Sequence, residues 1–217
     1  IYANYAKGKE WYRKQMPYSY PGQTTIEKSP AYFRTDWVAE RIHRFNSSIK
    51  LLVIIRDPVT WLISDYTQVY TNRKEQDLMN KRFENMVIDP VTLKVNTNYM
   101  AVKISVYERY FDHYLKVFNR SQIHIVDGEK LITNPAMEMV KVEQFLGLEP
   151  FITTDTFYFN KTLGFFCKKD GTNECLYKKK GRKHPQIDPF VKYKLKKFFK
   201  PHNEKLFHMI NQTFDWD

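Results

Sequence analysis

The stretch that decides the fold is "KLLVIIRDPVTWLISDYTQ", residues 50–68. A continuous aliphatic run, 50–56, predicts a parallel strand buried on both faces. It ends abruptly in Arg56-Asp57-Pro58. Pro58 near the start of a helix, with Asp57 at or near its N-cap, predicts a helix running to about residue 73. A cation at a strand end beside a helix N-terminus combines a fixed charge with unpaired backbone N–H groups, and both favour a phosphate or a sulfate. Ser64, about two turns on, adds a hydroxyl if the ligand runs along the helix face. The competing reading pairs Arg56 with Asp57 or another carboxylate as a structural ion pair.

Outward from that stretch, the pattern alternates strand and helix. Residues 24–30 read as a short strand stopped by Pro30, and 36–45 as a helix capped by Asp36. One amphipathic helix is expected over 97–117, with Tyr99, Val102, Val106, Tyr110 and Leu115 on one side. "QIHIVD" (122–127) reads as a second buried strand followed by a turn at Gly128. Residues 134–148 read as a helix ended by Gly147. Residues 156–182 form an aromatic, basic hairpin, and two helices split at Pro201 close the chain. Such alternation predicts an α/β fold with a mostly parallel central sheet flanked by helices. Ligands of such sheets bind beyond the carboxyl ends of the strands, where Arg56 and Lys28 both fall.

The chain has 217 residues, enough for one compact domain, and 42% of them are hydrophobic. No apolar run approaches the roughly 20 residues of a membrane span. Lys and Arg total 35 against 24 acidic residues, a net charge of +11, which suggests a polyanionic partner. Nucleic acid, acidic membrane and sulfated polysaccharide all fit that charge, as does a basic surface without a specific ligand.

Two further basic segments stand out. Lys28, in "EKSPAYF", can reach the strand-end crevice and stabilise charge developing on a transferring group; the alternative is a solvated surface lysine. In "KKKGRKHP" (178–185), Gly181 permits close backbone approach, flanked by Lys180 and Arg182. This is an anion cradle or a disordered basic loop. The two cysteines, Cys167 and Cys175, flank turn chemistry at Asp170-Gly171-Thr172-Asn173. A hairpin there brings the sulfurs together across its strands, which reads as a disulfide made in an oxidising compartment. The alternative is two reduced thiols. Sequons at Asn46, Asn119, Asn160 and Asn211 favour a secretory lumen. Metal-protease, nucleophile-elbow, Walker-loop and RNA-binding signatures are missing from the sequence, and no metal ligand set is expected.

Taken in order, "TIEKSPAYF", "RDPVTWLISDYTQ", "HIVDGEKLI", "FYFNKTLGFFC", "KKGRKHPQIDP" and "TFDWD" resemble the heparan sulfate glucosamine 3-O-sulfotransferases from about Lys7 to Asp217. The related N-deacetylase/N-sulfotransferases share the Lys-Gly-Arg region. The resemblance implies a sulfotransferase fold related to P-loop kinases, with residues 1–217 as one domain. It implies transfer of a sulfuryl group from 3'-phosphoadenosine 5'-phosphosulfate to the 3-hydroxyl of glucosamine in heparan sulfate, leaving adenosine 3',5'-bisphosphate and needing no metal. Arg56 and Ser64 would hold the donor's 3'-phosphate. Lys180, Gly181, Arg182, Lys183 and His184 would form a loop around the donor, with Lys180 and Arg182 also facing the polysaccharide. Lys28, the proposed catalytic charge stabiliser, would line the acceptor side with Ser29, Pro30 and Ala31. Gln68 would contact the acceptor sugar, and Cys167–Cys175 would match the family disulfide.

The chain departs from the family pattern in three places. The donor phosphosulfate loop after the first strand and the general-base Glu downstream of it have no match. Both are expected upstream of Ile1 in an N-terminally longer protein, together with a Golgi type II membrane anchor. Position 61 is Trp where many relatives carry a second Arg. Two other classes fit the same residues: a heparin-binding module without catalysis, and a nucleotide-dependent kinase of similar fold. A heparan sulfate sulfotransferase of another position specificity is a nearer variant.

Overall fold

The computed structural model describes residues 4, 6–74, 81–169, 175 and 182–216. The chain divides into two compact units, Ile1–Tyr32 and Phe33–Asp217.

Among its described residues the first unit carries the helix α1 (Gly8–Gln15), with no buried residue. Residues 24–30 form no strand. A strand needs a neighbour to take its backbone N–H and C=O groups, and the described part of this unit offers none. Its order comes from side chains instead. Glu27 lies against the phenols of Tyr12 and Tyr32, whose pKa values are raised first by burial and then by that carboxylate.

The second unit is built on a parallel pair, β1 (Leu51–Ile55) and β2 (Ile123–Asp127), with Leu51 opposite Ile123 and Ile55 opposite Asp127. The expected parallel strands are therefore present, but β1 is not buried on both faces: Ile54 is 60% exposed. Among the described residues β1 is paired along one edge only. Helix α2 (Val38–Phe45) precedes it. Asp36 does not cap this helix. Trp37 occupies the N-cap without a side-chain bond, while the Val38 amide donates to the Thr35 carbonyl and Asp36 lies 3.9 Å from His113 Nδ1.

Helix α3 (Pro58–Lys74) follows β1, and the short α4 (Phe83–Val87) follows it. The single helix expected over 97–117 is two, α5 (Met100–Ser105) and α6 (Tyr107–Leu115), broken at Val106 where ψ is 73°. The Ser105 hydroxyl donates back to the Ala101 carbonyl at 2.9 Å, a local bond that competes with the helix ladder. The break turns the buried side of α6 to Tyr107, Phe111 and Tyr114. Residue 128 does not make a turn but begins α7 (Gly128–Thr133). Helix α8 (Pro135–Leu146) then starts on an Asn134 cap and ends at Gly147 in the left-handed region, as its sequence requires.

The hairpin strands are β3 (Phe157–Asn160) and β4 (Phe165–Lys168), paired antiparallel. Their turn is at Asn160–Gly164: Asn160 Oδ1 accepts from the amides of Thr162 and Leu163, and Gly164 takes φ 74°. The turn expected at 170–173 lies outside the described residues. Cys167, buried on β4, is disulfide-bonded to Cys175.

The two terminal helices are one, α9 (Pro189–Ile210), with Pro201 inside it. Pro201 is exposed, so water can serve the carbonyl it leaves unbonded. This helix spans both hydrophobic clusters. Leu195 and Phe199 pack with Leu62 of α3, Phe83 and Val102. Leu206 and Ile210 pack with Ile55, Phe111 and Ile123.

Candidate active site

The site begins where the two parallel strands end together. Because Ile55 stands opposite Asp127, the residues just beyond them meet: Arg56 on one side, Gly128 and Glu129 on the other. Asp127 caps α7 by accepting from the amides of Glu129 at 3.0 Å and Lys130 at 3.1 Å. That cap fixes Glu129 in the first turn. Its carboxylate then takes Arg56 in a fork, Nε to Oε1 at 2.9 Å and Nη2 to Oε2 at 3.0 Å. Gly128 has to be glycine here: a Cβ would stand 2.5 Å from Arg56 Cγ and 2.8 Å from the Ile55 carbonyl oxygen.

Tyr107 holds Arg56 from beneath. Its phenol is buried, which raises its pKa, and a hydrogen bond from the Arg56 backbone opposes that rise. The structural ion pair weighed for Arg56 therefore exists, with Glu129 as the partner. It leaves both N–H groups of Arg56 Nη1 without a protein partner among the described residues, and these remain for an anion.

The helix N-terminus contributes less than its sequence implies. Asp57 Oδ1 accepts from the Thr60 amide at 2.6 Å, and the Asp57 carbonyl accepts from Trp61 at 2.8 Å. The protein's own carboxylate thus sits where an anion could have been cradled by backbone. Anion binding has to rest on side chains. Ser64 is half-buried on α3, with no hydrogen-bond partner among the described residues, and Gln68 is exposed one turn further along the same face. Nearby Asp65 has its pKa raised by burial.

The loop before α9 comes to the same place. Burial, and next the Arg56 guanidinium, hold the His184 imidazole below its ordinary value, with Glu129 opposing. Arg182 is half-buried, and Lys183 and His184 are exposed. Lys180 and Gly181 lie outside the described residues. Lys28 and Pro30 are exposed, and Ser29 and Ala31 half-buried, in the first unit.

A cavity of about 320 Å³ opens beside the fork, lined by Asp57, Thr60 and Glu129, by Lys192 and Lys196 of α9, and by Asp215 and Trp216. Its mixed charges suit a polar, ionic occupant rather than an apolar one. Among the described residues no cluster of His, Cys, Asp or Glu could hold a metal ion, and no helix is long and apolar enough to cross a membrane. Of the sequon asparagines, Asn46, Asn119 and Asn211 are exposed and Asn160 is half-buried.

Sequence reasoning missed Glu129, Gly128 and Tyr107 as parts of this site. The signal for the first two was available. Two strands ending in Arg-Asp-Pro and Asp-Gly-Glu, if parallel neighbours in register, must bring the arginine to the glutamate.

With this geometry, the chain belongs to the sulfotransferase family: the sulfotransferase domain model matches residues 1–211. Among curated proteins it is 52% identical over 215 residues to heparan sulfate glucosamine 3-O-sulfotransferase 5 of Mus musculus, covering 98% of this chain and 62% of that protein. It is 42% identical over 219 residues to heparan sulfate glucosamine 3-O-sulfotransferase 3B1 of Homo sapiens, covering 99% of this chain and 55% of that one. The chain therefore spans little more than half the length of such relatives. In structure it resembles a sulfotransferase from Alicyclobacillus acidocaldarius, with a TM-score of 0.59 at 16% identity over 86% of this chain and 64% of that one. That likeness speaks for the fold alone, and it agrees with the sulfotransferase fold expected from the motifs.

Proposed function

We propose that the protein transfers a sulfuryl group from 3'-phosphoadenosine 5'-phosphosulfate to the 3-hydroxyl of glucosamine in heparan sulfate. The observation that carries this reading is the 52% identity, over nearly the whole chain, to a protein of that name. The side chains gathered at the strand ends support it. Arg56 keeps a donor for the 3'-phosphate, Ser64 adds a hydroxyl, and the loop containing Lys180, Gly181, Arg182, Lys183 and His184 surrounds the donor. Gln68 contacts the acceptor sugar, as do Lys180, Arg182 and the segment Lys28-Ser29-Pro30-Ala31. A net charge of +11 suits a polyanionic acceptor. The four sequons fit glycosylation in the Golgi lumen, reached by a type II anchor upstream of Ile1.

In the reaction the glucosamine 3-oxygen forms a bond to sulfur while the bond from sulfur to the donor's 5'-phosphate oxygen breaks. The alcohol is a poor nucleophile and gives its proton to a base, the Glu expected upstream of Ile1. Catalysis is otherwise positioning and charge stabilisation, as in phosphoryl transfer. Lys28 is the cation assigned to the transferring group. Lys28→Ala in the N-terminally extended protein lowers turnover much more than donor affinity; unchanged turnover removes Lys28 from this role.

The deciding experiment is transfer of labelled sulfate from the donor to N-sulfated heparan sulfate by that extended protein, with the labelled position mapped in the product. Label on the glucosamine 3-hydroxyl supports the proposal. Label elsewhere changes the position specificity. No transfer, with heparin still bound, leaves a binding module.

A further inference from the structure

We infer that α9 carries a second, ancillary contact surface for a sulfated polysaccharide, outside the crevice where sulfuryl transfer is proposed. The inference rests on that functional reading for its ligand class. The one-sided charge of the helix comes first. It holds six lysines and a single acid, Glu204. Lys194 is used by the fold, donating to the Leu93 carbonyl, and Lys205 stands 4.0 Å from Glu108. Lys192, Lys196, Lys197 and Lys200 are exposed and have no ion-pair partner among the described residues. At 1.5 Å rise per residue, Lys192 to Lys200 spans about 12 Å, with Lys196 between them on one slowly winding stripe.

Local stability does not explain this placement. Lys192 closes the first turn, where the helix dipole disfavours a cation, and like charges at i, i+4 repel. One aromatic ring is also left in solvent beside the lysines: Tyr193 is 60% exposed, whereas Phe190, 56% exposed, has Lys194 Nζ over its ring at 4.9 Å. Exposed aromatic faces beside desolvatable cations suit sugar rings carrying sulfates better than they suit water. The stripe starts at the crevice: Lys192 and Lys196 line the same cavity as Glu129. A polymer engaged beside Arg56 can continue over Lys197 and Lys200, and a disaccharide is too short to do both.

The test is binding, so that it does not depend on catalysis. Lys197→Glu/Lys200→Glu and Tyr193→Ala are compared with wild type and with Lys81→Glu/Lys161→Glu, a charge-matched control off the helix. Affinity for polymeric heparin is measured against salt, beside a heparin disaccharide and a single-stranded DNA. The expected result is a roughly tenfold weaker polymer complex for the α9 double variant, with a log–log salt slope shallower by about 1 to 2. Disaccharide binding stays within twofold, and Tyr193→Ala weakens heparin more than DNA. Equal losses in the control variant overturn the surface. Equal losses on DNA overturn the sulfated-glycan assignment. Sulfate transfer is read separately in the N-terminally extended protein, so an extended protein that fails to sulfate heparan sulfate but still loses heparin through α9 keeps this inference and refutes the enzymatic reading.

Discussion

Arg56 already has a carboxylate partner before any donor arrives, and the consequences are measurable. A charge-assisted hydrogen bond is worth about 1.5–3 kcal/mol. Arg56→Ala is therefore expected to weaken adenosine 3',5'-bisphosphate binding on the order of 10- to 100-fold in calorimetry. The change also leaves Glu129, 34% exposed at its side chain, facing the phosphate without compensation. Unchanged affinity rules out the phosphate contact. His184 reports the same pair through its titration. Arg56 lowers its pKa and Glu129 raises it. Arg56→Ala should shift the His184 imidazole resonances to a higher apparent pKa, and Glu129→Ala to a lower one. Two shifts of the same sign would show that His184 does not sense the fork.

Elements meet at this site through their ends, and two substitutions probe how. Gly128 lets α7 start against β1. Gly128→Ala forces its Cβ onto the Ile55 carbonyl oxygen and Arg56 Cγ, an overpacking worth about 1–3 kcal/mol. A fall in the thermal midpoint together with weaker bisphosphate binding is expected; an unchanged protein would mean the strand ends are looser than drawn. Leu195, fully buried on α9, ties that helix to α3 and α5. Leu195→Ala should cost about 2–5 kcal/mol in denaturant unfolding, and a loss below 1 kcal/mol would contradict the packing of α9 over this cluster.

Across the whole molecule, two histidines hold pKa values below their ordinary value. Burial is the first cause at both His184 and His124, and a buried ring nitrogen of His124 has no hydrogen-bond partner among the described residues. The unfolded chain then binds protons near pH 6.5 that the folded chain refuses. Stability is full above about pH 6.5 and is lost as the pH falls toward the folded pKa values. The urea midpoint should drop between pH 7.5 and pH 5.5; a flat profile would show that folding makes neither imidazole harder to protonate.

Much of this fold is local and was legible in the residues. The aliphatic runs at 51–55 and 123–127 read as strands and are strands, although the first is not buried on both faces as expected; Pro58 and Asp57 start a helix, and Gly147 ends one. The disulfide was legible too, although the hairpin that carries Cys167 turns at Asn160–Gly164. The errors came where a distant partner decides. Residues 24–30 have strand composition but no neighbour to pair with among the described residues. Val106 breaks a helix that periodicity alone would continue. Pro201 is tolerated inside one helix because it faces water while Leu195 and Leu206 are anchored on either side.

By itself, the sequence determined the two parallel strands, the helix that starts at Pro58 and the one that Gly147 ends, that a cation follows the first of these strands, and, through its ordered motifs, the family. Only the tertiary structure decided that Arg56 is forked to Glu129, that Gly128 is needed for that approach, and that His184 comes to the same pair. Local preferences act over a few residues of chain. The pairing of residues 56 and 129 instead depends on the register of two strands and on the burial that holds them together, and no short stretch of sequence contains either.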